Sequence, residues 1–202
     1  MRSLFGNKPV VLASASPRRQ VLLRQLGLEF TVAPSNFDEE SVPVASPVDL
    51  VTTLAHRKAA LVAAAYDDAV VVGADTIVVL GETVLGKPRD AAEAVRMLEM
   101  LSGREHHVYT GFSVVDRPSN RAVTEYECTR VHFRSLGAAE IRAYVASGSP
   151  MDKAGSYGIQ DDYGAVFVER IDGCFYNVVG FPLTKFYVVM QAFSKELTST
   201  KE

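Results

Sequence analysis

Two short, unbroken aliphatic runs, Val10-Val-Leu-Ala13 and Ala69-Val-Val-Val72, constrain the fold of this chain more than any other feature. Neither alternates polar with apolar residues, so each reads as a strand covered on both faces. After the first run, Ser16 supplies an N-cap and Pro17 the first helical position, and Gly27 stops that helix. A strand-like stretch from Glu29 to Ala33 follows, then a polar loop through Asn36 to Glu40. Ser46-Pro47 repeats the start signal for a helix reaching about Tyr66, just ahead of the second run. The chain stays extended from Thr76 to Leu80, and Asp90 with Glu93 is a capping box for a helix ending near Leu101. Alternation of this kind predicts an α/β fold.

The second half is richer in strands. His107 to Val115 and Ala122 to Phe133 flank the turn residues Asp116 to Asn120, which predicts an antiparallel hairpin. A helix from about Ala138 to Ala146 precedes a glycine-dotted loop, Asp152 to Gly164. A strand from Ala165 to Ile171 and a helix from about Pro182 complete the pattern, with a polar tail from Ser194 that is expected to fray. The expectation is a mixed twisted sheet with flanking helices, its two halves forming the walls of a cleft. One domain over 1–202 accommodates this, with its core at about 9–192.

Composition removes several function classes. The 202 residues carry 21 basic and 24 acidic side chains, a net charge of −3, which argues against a general nucleic-acid binder. A small basic pocket remains compatible with that balance. Cys128 and Cys174 form no C-x-x-C pair, as expected of a reducing compartment. No apolar run approaches the ~18 residues of a membrane span, and Met1 to Gly6 lacks a signal peptide's apolar core. A soluble, cytoplasmic enzyme is expected.

Six segments carry candidate chemistry. Arg18 and Arg19 sit in the first turn of a helix, where cations are unfavourable by roughly 0.3–1 kcal/mol each unless an anion binds there. The alternative is that they extend into water or pair with the acidic stretch at 38–40. Lys58 falls in the middle of an apolar stripe of Val51, Leu54, Ala55, Leu61, Val62 and Ala65, so it should meet a wet cleft or a buried acidic partner. Asp75 follows the valine run at a strand exit, the place where α/β sheets border their ligands. A turn aspartate bonded to its own backbone is the other reading. Gly81 to Pro88 nearly matches a P-loop, but Pro88 replaces the metal-binding hydroxyl and disfavours a helical Lys87. Lys87 can still meet a phosphate as a point charge. Asp38, Glu39 and Glu40 with Asp75 are the candidate hard-metal ligands, suited to Mg²⁺ or Mn²⁺. The four histidines show no zinc spacing, and no G-x-S-x-G elbow occurs. In the 152–160 loop, Gln160 offers a donor and an acceptor to a base edge.

Six motifs occur in order: Leu12-Ala-Ser-Ala-Ser-Pro-Arg-Arg19, Asp38-Glu39, Lys58-Ala59, Gly73-Ala-Asp-Thr76, Gly86-Lys-Pro-Arg-Asp90 and Asp152-Lys-Ala-Gly-Ser-Tyr-Gly-Ile-Gln160. With these the chain resembles the Maf family of nucleoside triphosphate pyrophosphatases over about residues 9–192. The resemblance implies a two-lobed α/β fold related to inosine-triphosphate pyrophosphatase. It implies Mg²⁺- or Mn²⁺-dependent cleavage of a nucleoside triphosphate to the monophosphate and pyrophosphate. Asp75 then matches the proton acceptor. The candidate site is accordingly Asp75 and Lys87 for catalysis, Glu39 and Asp75 for the metal, and Ser14, Arg18, Arg19, Lys58, Thr76, Lys153 and Gln160 for the substrate. Arg18, Thr76 and Gln160 mark the branch acting on dTTP and UTP, as against the branch acting on 7-methyl-GTP. Homodimers are common in the family, so the resemblance allows one here. A triphosphate carries about four negative charges, which the cations at 18, 19, 58, 87 and 153 can meet. The rival readings are a non-catalytic nucleotide-binding regulator and a phosphatase releasing single phosphates.

Overall fold

The computed structural model describes residues 4–39, 46–160 and 162–199. β1 (Val10–Leu12) turns into α1 (Pro17–Gln25), followed by β2 (Thr31–Val32), α2 (Pro47–Ala63), β3 (Ala69–Leu80) and β4 (Thr83–Leu85). α3 (Ala91–Leu101) precedes the long strands β5 (Glu105–Arg117) and β6 (Ala122–Phe133). After α4 (Ala138–Ala146) come 3-10 turns, then β7 (Val168–Asp172), α5 (Phe175–Val179) and α6 (Leu183–Ser199). The seven strands form one mixed sheet in the order β2-β1-β3-β5-β6-β7, with β4 on β3. β1 runs parallel to β2 and β3, whereas β4 and β7 pair antiparallel with β3 and β6. The α/β class with a mixed sheet is as the sequence predicts.

The chain divides into two compact units. The first gathers the residues up to Asp75, Thr110–Glu127 and those from Gly180 onward; the second is Thr76–Tyr109 with Cys128–Val179. In the first unit, Val11 on β1, Ala13 just after it and Val71 on β3 pack against Ala59, Val62 and Ala63 of α2. Phe112, Phe181 and Phe186 form a second cluster there, with ring centroids 5.0 to 5.9 Å apart. α2 approaches the strands unusually closely. A Cβ on Gly73 would stand 2.4 Å from the Ala55 carbonyl oxygen, and one on Gly111 would stand 2.4 Å from that of Val51. Only glycine permits such an approach. The second unit is built on Leu98 and Leu101 of α3, Ile141 and Tyr144 of α4, and Val131 and Phe133 of β6.

Several boundaries differ from the sequence expectation. β2 spans only two residues. Ala165–Phe167 belong to a 3-10 turn, because Phe167 is fully buried and the β6 ladder shifts register between His132 and Phe133. α5 carried no start signal strong enough to read. α6 runs through Ser199, past Ser194, since Phe186, Met190 and Phe193 give it one buried stripe. Residues 200–202 of the expected tail lie outside the described residues. No helix among those described is long and apolar enough to cross a membrane.

Candidate active site

Lys58 is the centre of the first unit's polar cluster. The buried face of α2 consists of Val51, Leu54, Ala55, Lys58, Ala59, Val62 and Ala63. Leu61 is 50% exposed and Ala65 is exposed, so the real stripe is rotated from the one read in the sequence, though Lys58 stays at its centre. With only 8% of its surface exposed, this lysine cannot reach open water. Its Nζ instead donates to Asp75 Oδ1 and pairs with Glu39 Oε1, each at 2.7 Å. Asp75 is 7% exposed, and Glu39 is exposed. Of the two expected destinations of Lys58, a wet cleft or an acidic partner, the structure shows the acidic partner.

Asp75 is not at a strand exit. β3 continues to Leu80 without a break. What ends is its neighbour: the β1 ladder stops at the Leu12–Val72 pair, with Ala13 N–H donating to Val72 O at 2.8 Å, and the β4 ladder begins only at Val78. Asp75 thus occupies a stretch of β3 that neither strand covers. Burial pushes its carboxyl above the ordinary carboxylate range, against the pull of Lys58 and Arg19.

Arg19 is held, not extended into water. Its Nε donates to Gly180 O at 3.0 Å and its Nη1 to Ser14 Oγ at 3.1 Å. Ser14 is buried and also accepts from Ser16 N–H at 3.3 Å. Ser16 caps α1 by accepting from Arg19 N–H at 3.4 Å. Burial lowers the pKa of the Arg19 guanidinium, while Asp75 and Glu39 act in the opposite sense and Arg18 adds to the lowering. Arg18 is half-buried beside it on α1. The first unit therefore brings together Ser14, Arg19, Glu39, Lys58 and Asp75. Among the described residues no group of three or more His, Cys, Asp or Glu forms a metal cluster. Of the expected acidic run, Asp38 is exposed and Glu40 lies outside the described residues.

The remaining candidates are in the second unit. Thr76 is half-buried on β3, and Lys87 and Gln160 are exposed. Lys153 is buried and turns back on its own segment, donating to Ser149 O at 2.6 Å and Asp152 Oδ1 at 2.9 Å. One backbone bond, Gly155 N–H to Gly86 O at 3.0 Å, joins the loop bearing Lys153 and Gln160 to the loop bearing Lys87. The rejection of a P-loop holds structurally. α3 starts only after Asp90, whose Oδ1 accepts from Glu93 N–H at 2.7 Å, while Glu93 accepts from Arg89 N–H. Carboxylates fill the place a phosphate would take.

A family model described as Maf-like protein matches residues 9–193. The chain belongs to the Maf family. A dTTP/UTP pyrophosphatase of Pelotomaculum thermopropionicum is 48% identical over 92% of this Maf chain and 97% of its own length. One from Desulforamulus reducens is 46% identical over 94% and 99%, and one from Salinibacter ruber 49% identical over 91% and 90%. Three glycines contribute to this site in ways that no sequence signal specifies. Gly180 acts through its carbonyl oxygen, which any residue possesses. Gly73 and Gly111 act by lacking a side chain, and only their position under α2 reveals it.

Proposed function

We propose that the protein is a nucleoside triphosphate pyrophosphatase that hydrolyses dTTP and UTP to the monophosphate and pyrophosphate. The observation carrying this reading is the buried Lys58, 2.7 Å from both Asp75 and Glu39, in a chain nearly half identical to proteins named for that activity. Water adds across the α–β phosphoanhydride, the P–O bond to the departing pyrophosphate breaks, and Asp75 accepts the water's proton. A carboxyl raised by burial is a better base for that proton than an ordinary one. Lys58 fixes the carboxylate's orientation, and Ser14 with Gly180 fixes that of Arg19.

Glu39 and Asp75 supply hard oxygen donors that converge on one ammonium, and this set suits Mg²⁺ or Mn²⁺. Mg²⁺ characteristically takes one or two carboxylates together with substrate phosphates. When bound, such an ion neutralises phosphate charge. Arg18, Arg19, Lys87 and Lys153 contribute positive charge toward the phosphates, and Thr76 and Gln160 serve the base. The two cysteines, in no disulfide among the described residues, support work in the reducing cytoplasm, and the family's habit supports a homodimer. The test is product identification after incubation with dTTP and Mg²⁺. Thymidine monophosphate and pyrophosphate are expected; orthophosphate, or no release, overturns the reading.

A further inference from the structure

His106 is the only fully buried histidine among the described residues, at 0% exposure on β5, and none of the chemistry above uses it. Its Nε2 lies 2.8 Å from Tyr157 Oη, and the two rings stand edge-to-face at 5.4 Å. Phe133 completes the set, 5.0 Å from His106 and 4.7 Å from Tyr157, with near-perpendicular ring planes. His106 Nδ1 has no hydrogen-bond partner among the described residues. If Nε2 carried the proton, the Tyr157 hydroxyl proton and the Nδ1 lone pair would both lack partners. The arrangement with fewer losses has Tyr157 O–H donating to an unprotonated Nε2. Burial lowers the His106 pKa to about 3, so the ring stays a neutral acceptor at every working pH. Next to Tyr157, Ser156 is also fully buried, adopts φ +62°, and sets its hydroxyl 3.1 Å from Met97 Sδ. A non-glycine residue in that conformation persists only where its surroundings over-determine it. Three residues beyond Tyr157, the chain emerges at the exposed Gln160.

We infer that the Tyr157–His106 hydrogen bond is a positioning element for base selection: it anchors the 153–160 loop so that Gln160 presents one amide orientation. The inference rests on Gln160 facing the base, as proposed above. An amide free to turn suits thymine and cytosine alike, since its donor and acceptor exchange places. The anchor therefore governs discrimination between pyrimidines and leaves the chemistry at Asp75 untouched.

The decisive comparison is wild type, Tyr157→Phe, and the double variant Tyr157→Phe with His106→Leu. The single change orphans a buried nitrogen and lowers stability; the double change leaves an apolar pair, which restores most of it. If the bond positions the loop, both variants lose about three- to tenfold in the dTTP-over-dCTP ratio of kcat/KM, through KM more than kcat. Amide hydrogen exchange at 155–159 in the ligand-free protein accelerates in both. A merely structural pair would recover wild-type selectivity along with stability in the double variant, and that result overturns the inference. An unchanged ratio in either folded variant does so too. Absence of pyrophosphate release by wild type would overturn the proposed function, not the anchoring, which the exchange measurement decides by itself.

Discussion

At the scale of single residues, the site depends on how burial and charge compete at Asp75. Its folded-state pKa lies above the ordinary value near 3.8, with burial as the largest cause. Between those two values the folded protein holds a proton that the unfolded chain has released. The stabilising contribution is thus present at low pH and lost as pH rises through the raised pKa. Activity runs the other way, because a proton acceptor works only as the carboxylate. The acid limb of kcat/KM should therefore fall above the usual carboxylate range, and a profile flat down to pH 4 would contradict this. Asp75→Asn should lower kcat by about 10²-fold or more. Its fold should survive, since the amide oxygen stays within reach of Lys58 and Glu39 keeps that ammonium paired; circular dichroism checks the second half. The neighbouring arginines should separate in thermal unfolding. Arg19→Ala strips the Gly180 carbonyl and Ser14 of a charged donor, a loss of about 1–3 kcal/mol. Arg18→Ala removes a cation from a helix N-terminus and should cost less than Arg19→Ala. Equal melting temperatures for the two variants would refute the distinction. Electrostatics at a helix start predicts a ligand for both residues, but only the structure separates a clamped guanidinium from its neighbour.

Among the elements, α2 is the one on which the site depends. It carries Lys58, and its distance from the sheet is set by Gly111 and Gly73. Replacing Gly111 by alanine puts a methyl group against the Val51 backbone, which cannot move aside as a flexible side chain would. The helix must shift, at about 1–3 kcal/mol or more, and Lys58 shifts with it. Chemical denaturation should show that loss together with reduced turnover; full stability with full activity would refute the coupling. The long elements were legible because their signals are local. The Ser46-Pro47 start placed α2, and the Asp90–Glu93 pair placed α3. β7 was misplaced because Ala165–Phe167 are apolar enough to read as strand, while a buried phenylalanine and a register shift hold them in a turn. Asp75 reads as a strand end for a related reason: sequence reveals where a strand's own pattern weakens, not where its neighbour stops.

For the whole molecule, class and sheet character followed from the two aliphatic runs and the hairpin. The pairing of Lys58 with both Asp75 and Glu39 did not, because it joins α2, β3 and a loop at separations that no periodicity encodes. Two lobes are expected from the sequence, but where they divide was equally hidden. The boundaries lie at 75/76, 109/110, 127/128 and 179/180, three of them inside continuous strands. Neither unit is therefore a contiguous stretch of the gene. An ancestor could not have acquired one by fusing a ready-made module at either end, and recombination at a single junction cannot exchange one unit while keeping the other intact. The first boundary falls between Asp75 and Thr76, so a segment cut to begin with the second unit starts beside the residue assigned to take the proton. The two units therefore share one reading frame in alternating pieces, and an exchange at any one junction alters both.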